Sequence, residues 1–220
     1  RLHYLHPRLG DHGARSGPAP AAAVEAVLAQ ARRGITFMLP TEDAIAVGEE
    51  LARRFGLPYW QTTLTATDAN RFAIRLARHI TRRPYILVCH WCYHGTVDET
   101  FITMKDGVAG PRSGNLGPPI DPARTTRVVE FNDIPGLDAA LADRQVAAVL
   151  IEPALTNVGH VLPEPGYLDA VRRIPRRTGP SLDLDAHQPI RPGHDRPTGP
   201  RGPRAAIAAR GRASRGRVGA

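Results

Sequence analysis

Two short apolar runs constrain the fold of this 220-residue chain more than any other feature. They are YILVC at 85–89 and VAAVLI at 146–151, and each follows a segment with the residue pattern of a helix. Uninterrupted apolar runs of this length are typical of parallel strands that are covered on both faces. The alternation of helices with such strands predicts an α/β fold with a mostly parallel sheet flanked by helices.

The remaining elements are predicted from helix caps and from periodicity. A helix is expected over 21–33, and Thr41 and Asp133 are residue types that cap helices. A helix over 68–81 is expected to turn four apolar residues mostly toward the core: Phe72, Ile74, Leu76 and Ile80. Further strands are predicted at 60–64, 127–131 and 181–185, whereas 107–122 has the Gly and Pro content of a loop.

The net charge of +8 is concentrated at one end of the chain. Residues 191–220 hold eight of the 29 basic residues and one of the 21 acidic residues, so the rest is nearly neutral. The segment 186–220 is rich in Arg, Gly, Pro and Ala and has no hydrophobic periodicity, which predicts disorder. Nucleic-acid binding by this segment is the weakest alternative function, because it lacks interleaved aromatic residues for base stacking.

The chain contains no apolar run long enough to span a bilayer, so we expect no membrane partner. Its first residues lack the apolar segment of a signal peptide, which predicts a cytoplasmic protein. Residues 1–20 contain several Gly and Pro residues and are predicted to be irregular.

The CHWC sequence at 89–92 has the spacing of a redox or metal site. In thioredoxin-like proteins the cysteine pair begins a helix, where the dipole lowers a thiol pKa. Here the pair follows a predicted strand, which disfavours redox catalysis. A zinc site from Cys89, His90, Cys92 and His94 is also disfavoured, because adjacent strand residues point to opposite faces. We therefore predict no metal site.

In open α/β sheets, ligands bind outside the carboxyl ends of the strands. Three segments are expected there: 65–70, 90–95 and 152–159. Ala66 and Thr67 open a predicted helix, whose free N–H groups and dipole favour a phosphate group, although an ordinary helix cap is the alternative. Tyr93 lies near Gly95, where an aromatic ring can stack on a flat ligand; a core aromatic is the alternative.

Three motifs in order, AIRLAR at 73–78, YHG at 93–95 and IEPALTNVG at 151–159, resemble class-III pyridoxal-phosphate-dependent aminotransferases, in particular the glutamate-1-semialdehyde 2,1-aminomutase-like members. The resemblance implies the type-I pyridoxal-phosphate transferase fold, with 21–185 as an incomplete large-domain portion. It also implies a homodimer that transfers an amino group through a Schiff base, acting as a transferase or isomerase on a small amino-acid or amino-aldehyde substrate.

The resemblance further assigns roles to individual residues of this chain. Cofactor contacts are implied at six of them: Ala66, Thr67, Tyr93, His94, Glu152 and Asn157. The family's Asp that keeps the pyridine nitrogen protonated falls on Asp185. The chain departs from the family pattern at Ala66, which replaces a glycine, and at Ala186, which replaces a glutamate.

The family's Schiff-base lysine has no counterpart in this chain, whose one lysine is Lys105 in the polar sequence TMKDG. We therefore expect an inactive chain, and we interpret the change of composition after about Gly179 as a truncated or frameshifted continuation. One alternative is a non-catalytic remnant that binds the cofactor or dimerises. Another is a genuine, divergent C-terminal segment with a different role.

Overall fold

The computed structural model of this protein describes residues 19–56, 58–117, 120–178 and 181–184. These residues fall into two compact units, one up to Gln61 and the other from Thr62 onward. The first unit contains α1 (Ala21–Arg33) and α2 (Glu42–Phe55). Thr41 caps α2 as predicted, since its hydroxyl oxygen accepts a hydrogen bond from the N–H of Ala44 at 3.3 Å.

The second unit is an α/β structure. Its helices are α3 (Ala66–Thr81), α4 (Ile134–Leu141) and α5 (Tyr167–Thr178); its strands are β1 (Tyr85–Cys89), β2 (Ile102–Lys105), β3 (Val108–Pro111), β4 (Thr126–Val129), β5 (Val146–Ile151) and β6 (Ser181–Leu184). One sheet has the order β4-β1-β5-β6, and every pair in it is parallel. This arrangement confirms the predicted parallel sheet.

The core lies around the two central strands, which are the two apolar runs of the sequence. All six residues of β5 are buried, as are Ile86–Cys89 of β1. Helix α3 packs against β5, and α4 packs against β4 and α5. A strand covered on both faces can bury every side chain, which is why these runs do not alternate with polar residues.

Two predicted features of the backbone are wrong. Residues 60–64 form no strand, and part of the predicted loop over 107–122 is strand β3, which pairs with β2 in an antiparallel hairpin. The hairpin turn is Asp106-Gly107, and both residues have positive φ, 51° and 78°. An Asp-Gly pair is a strong hairpin signal, because such turns match the twist of the flanking strands.

The predicted core face of α3 is also partly wrong. Ile74 is buried, but Phe72, Leu76 and Ile80 are between 45% and 50% exposed. The helix instead buries the small residues Ala73 and Ala77 beside Ile74. Small side chains allow a close approach of the helix to the sheet, and the larger apolar residues lie outside that contact. In the part of the chain that the structure describes, no helix is both long and apolar enough to cross a membrane.

Candidate functional site

The candidate site lies where β1 and β5 end. These strands are parallel neighbours, so the residues that follow them, His90 and Glu152, emerge at the same edge of the sheet. The loop after β1 returns to the first turns of α3 and also contacts the segment after β5. The site is therefore assembled from three separate stretches of sequence.

The first turn of α3 has hydrogen-bond donors to offer. The hydroxyl oxygen of Thr65 accepts a hydrogen bond from the N–H of Asp68 at 3.1 Å and caps the helix. The N–H groups of Ala66 and Thr67 have no acceptor among the described residues, as is usual for a first turn. Ala66 has no positive φ, so its backbone conformation does not require a glycine. These donors at the positive end of the helix suit an anion.

Gly95 brings the loop after β1 against this helix turn. Its φ is +77°, and a Cβ atom on it would lie 2.2 Å from the hydroxyl oxygen of Thr67. That same oxygen accepts a hydrogen bond from the N–H of Thr96 at 3.0 Å. The Thr67 hydroxyl thus holds the loop through its oxygen and keeps its own hydrogen to donate.

Two further side chains of α3 hold the same loop. Asn70, which is buried, donates from Nδ2 to the carbonyl oxygen of His94 at 3.1 Å. Arg71 donates from Nη2 to the carbonyl oxygen of Thr96 at 3.0 Å. Neither residue was predicted from the sequence to have a role. Their spacing from Thr67 is the signal available in the sequence, since residues three and four positions apart share one helix face.

Tyr93 and Glu152 connect the loop to the end of β5. The Tyr93 ring is half exposed, and its backbone N–H donates to Oε1 of Glu152 at 3.1 Å. The other oxygen, Oε2, accepts from the Thr156 hydroxyl at 3.1 Å. Glu152 is only 6% exposed. Both carboxylate oxygens of Glu152 therefore bind groups of the protein itself, whereas the Tyr93 ring is accessible to a ligand.

The other two implied contacts differ in exposure. Asn157 is exposed, and its Nδ2 donates to the carbonyl oxygen of Trp91 at 3.5 Å. His94 is 1% exposed, so its side chain lies beneath the loop. Thr67 and Asn157 thus contact the loop after β1 that carries Tyr93, and the three residues lie in one region. His94, in the same loop, is buried.

His90 is fixed by two hydrogen bonds and a ring contact. Its Nδ1 lies 2.8 Å from Oε1 of Glu130, and its Nε2 lies 2.8 Å from the hydroxyl of Thr103. The ring stacks on Trp91, with centroids 5.0 Å apart and an angle of 21° between the planes. His90 therefore links the ends of β1 and β4 to the hairpin and supports Trp91.

The two cysteines are buried and free. Cys89 Sγ lies 3.6 Å from the hydroxyl of Tyr167, and burial raises the pKa of the Cys89 thiol to about 12. A thiol with so high a pKa is not a nucleophile at neutral pH. Within the described ranges, no group of three or more His, Cys, Asp or Glu side chains is arranged to hold a metal ion.

Asp185, which the resemblance assigns to the pyridine nitrogen, falls outside the described residues. Lys105 is exposed at the end of β2, next to the hairpin turn.

Comparison with known proteins assigns the family. The family model for Aminotransferase class-III matches residues 14–185. Glutamate-1-semialdehyde 2,1-aminomutase of Nitrosospira multiformis is 33% identical over 173 residues, which cover 77% of this chain and 41% of the relative.

Solved structures agree with this assignment. A glutamate-1-semialdehyde-aminomutase from Pseudomonas aeruginosa PAO1 is 50% identical, with a TM-score of 0.77 over 80% of this chain and 39% of that chain. A variant of that aminomutase was solved in complex with PMP. The chain spans about two fifths of the length of these relatives. With its parallel sheet and its site at the strand ends, the chain belongs to the class-III aminotransferases, a family that uses pyridoxal phosphate.

Proposed function

We propose that this chain supplies part of a pyridoxal-phosphate site of the glutamate-1-semialdehyde 2,1-aminomutase type. One observation carries the proposal: the close approach of Gly95 to Thr67, which joins an anion-binding helix turn to an exposed aromatic ring. The open N–H groups of Ala66 and Thr67 fit a phosphate, and the half-exposed ring of Tyr93 fits a flat heterocycle. A flat phosphorylated cofactor needs both an anion site and a surface on which its ring can stack.

Each residue of the site has a distinct task in this proposal. Ala66 and Thr67 bind the phosphate through their N–H groups, and the Thr67 hydroxyl donates a further hydrogen bond. Tyr93 stacks on the ring, and Asn157 contacts the ring side. Glu152 orients Tyr93 by accepting its N–H, which makes Glu152 a positioning residue.

The family resemblance supports the remaining parts of the proposal. When bound, pyridoxal phosphate supplies a ring that withdraws electrons from the amino-bearing carbon of a substrate. Asp185 would pair with the pyridine nitrogen, and buried His94 would support the loop. The reaction class is amino-group transfer or a 1,2-shift on a small amino acid or amino aldehyde, in a cytoplasmic homodimer.

We also propose that the chain as written binds the cofactor without catalysing amino transfer. Its one lysine, Lys105, is exposed on the hairpin, whereas the family needs an amine that both anchors the cofactor and moves a proton. The change in composition after about residue 179 supports the further proposal that the C-terminal segment is out of the family's reading frame. Sequencing the source DNA tests this, and it fails if no shifted frame restores a lysine-bearing continuation.

Cofactor binding is tested by titrating the full chain with pyridoxamine phosphate and following tryptophan fluorescence. We expect saturable binding that Thr67→Val weakens about tenfold, because one hydroxyl–phosphate bond and part of the loop support are lost. Thr81→Val, at the other end of α3, is the matched control and should leave affinity unchanged. Tyr93→Leu should also weaken binding, whereas Tyr59→Leu, which removes an exposed tyrosine of the first unit, should not. Equal affinities for all four variants would contradict the proposed site.

The absence of a cofactor anchor is tested by chemical labelling. The chain is incubated with one equivalent of pyridoxal phosphate, treated with borohydride and digested for mass spectrometry. We expect no stoichiometric pyridoxyl label on Lys105, and no amino transfer in a coupled assay. A stoichiometric label that disappears in Lys105→Arg, together with turnover, would show that Lys105 is the anchor and refute the proposed inactivity.

A further inference from the structure

A small cleft beside Trp91 has chemistry that the cofactor site does not use. It has a volume of about 270 Å³ and is lined by Trp91, Thr103, Met104, Lys105, Arg112 and Ser113. Lys105 and Arg112 are the charged residues among these, and both are cationic. A cleft with two cations, an aromatic ring and no acid in its lining is suited to an anion that carries a flat or apolar body.

The backbone at Trp91 supports a ligand role for its ring. Trp91 has a φ of +61°, a conformation that is rare for a bulky residue and is concentrated at functional sites. The residue remains 48% exposed although its ring stacks on His90. Because His90 is held by Glu130 and Thr103, it is a rigid support for the tryptophan ring. The result is a fixed aromatic surface that is open on one side.

The hairpin places the cations opposite this surface. Thr103 and Lys105 are two positions apart in β2 and therefore share one face of the strand. Since Thr103 contacts His90, this is the face turned toward the Trp91 loop. Arg112 donates from Nη2 to the carbonyl oxygen of Cys92, which orients its guanidinium group. Its Nε is buried and has no hydrogen-bond partner among the described residues.

We propose that this cleft is a binding subsite for a small carboxylate with a flat apolar body. The carboxylate binds between Lys105 and Arg112, and the flat body lies on Trp91. The lining of the cleft includes neither Ala66 nor Thr67, and its occupation does not require pyridoxal phosphate.

Benzoate is the probe that tests the proposal, with benzamide as its uncharged analogue. The full chain with Trp60→Phe retains Trp91 as its one tryptophan, so its fluorescence reports on the cleft. We expect saturable binding of benzoate at about millimolar concentration, as suits a ligand of this size, and binding of benzamide at least about fivefold weaker. Absence of a saturable signal, or equal affinity for the two probes, would overturn the proposal. The titration contains no pyridoxal phosphate, so its outcome is independent of the proposed function.

Variants at exposed residues test the location of the site. Lys105→Gln should weaken benzoate binding about threefold, the effect of losing an exposed ion pair. Arg124→Gln removes another exposed cation outside the cleft and should leave benzoate affinity unchanged. An unchanged affinity in Lys105→Gln, or an equal loss in both variants, would overturn the assignment to this cleft. Urea denaturation of each variant verifies that its fold is retained.

Discussion

The Cβ atom that Gly95 lacks would lie 2.2 Å from the hydroxyl oxygen of Thr67. This distance is far below a van der Waals contact, so only a glycine allows the loop after β1 to approach the start of α3. The N–H of the next residue, Thr96, then reaches the same oxygen. One small residue thereby joins the two halves of the candidate site, which are almost 30 residues apart in the sequence.

Gly95→Ala should therefore destabilise the fold and impair cofactor binding. The substitution combines an unfavourable positive φ with a clash, and we expect a loss of about 2 kcal/mol or more in the free energy of unfolding. Urea denaturation measures this loss. Gly107→Ala is the matched control, because Gly107 has nearly the same φ, +78°, but open space around it. Its cost should be about 1 kcal/mol. Equal losses in the two variants would show that the contact with Thr67 has no energetic role.

Glu152→Leu should loosen the connection between Tyr93 and β5. A leucine has no acceptor, so the Tyr93 N–H and the Thr156 hydroxyl both lose the partner that Glu152 provides. Because the site is buried, we expect a loss of about 1–3 kcal/mol in unfolding free energy. A double-mutant cycle with Thr156→Val separates the two bonds. Additive losses in the cycle would contradict coupling through Glu152.

The ion pair between Arg127 and Asp143 predicts a pH dependence. The Arg127 guanidinium, at 2.8 Å, lowers the pKa of Asp143 to about 2 from an ordinary value of 3.8. A lowered pKa means that the stabilisation is complete above about pH 4 and is lost as the pH falls through 2. The urea midpoint of Asp143→Asn should therefore lie below that of the parent at pH 6, and most of this difference should be lost at pH 2.

A control carboxylate separates this effect from general acid denaturation. Asp169 has a side chain that is 88% exposed and lies 4.0 Å from Arg172. Asp169→Asn should shift the urea midpoint little at either pH, because such exposed pairs contribute little. A gap for Asp143→Asn that stays constant from pH 6 to pH 2 would contradict the predicted titration.

The buried cysteines should be inert in the folded protein. Burial raises the pKa of Cys89 to about 12, and Cys92 is also fully buried. At pH 8 we expect neither thiol to react with Ellman's reagent within minutes, and both to react after addition of guanidinium chloride. Rapid native reaction, or formation of a disulfide between Cys89 and Cys92 under mild oxidation, would revive the redox interpretation of the CHWC sequence.

The sequence was most informative where burial is nearly complete. The apolar runs at 85–89 and 146–151 predicted the two central strands with their observed bounds, since every position in such a strand excludes polar residues. It was less informative for half-buried elements. The face of α3 carrying Phe72, Leu76 and Ile80 is as apolar as a core face, yet the helix packs through Ala73 and Ala77. The hairpin of β2 and β3 was missed although its Asp106-Gly107 turn is a recognised signal.

The sequence by itself determined the parallel sheet and the family, because these follow from local patterns and ordered motifs. The same motifs supplied the residues that we propose for a phosphorylated cofactor. Only the tertiary structure decided how those residues are used. The hydroxyl of Thr67 holds Thr96, Glu152 holds Tyr93, and His90 supports Trp91 over a cleft with Lys105. Each of these contacts joins segments that strand pairing and helix packing bring together. The local sequence pattern does not specify the distances between residues that lie far apart in the chain.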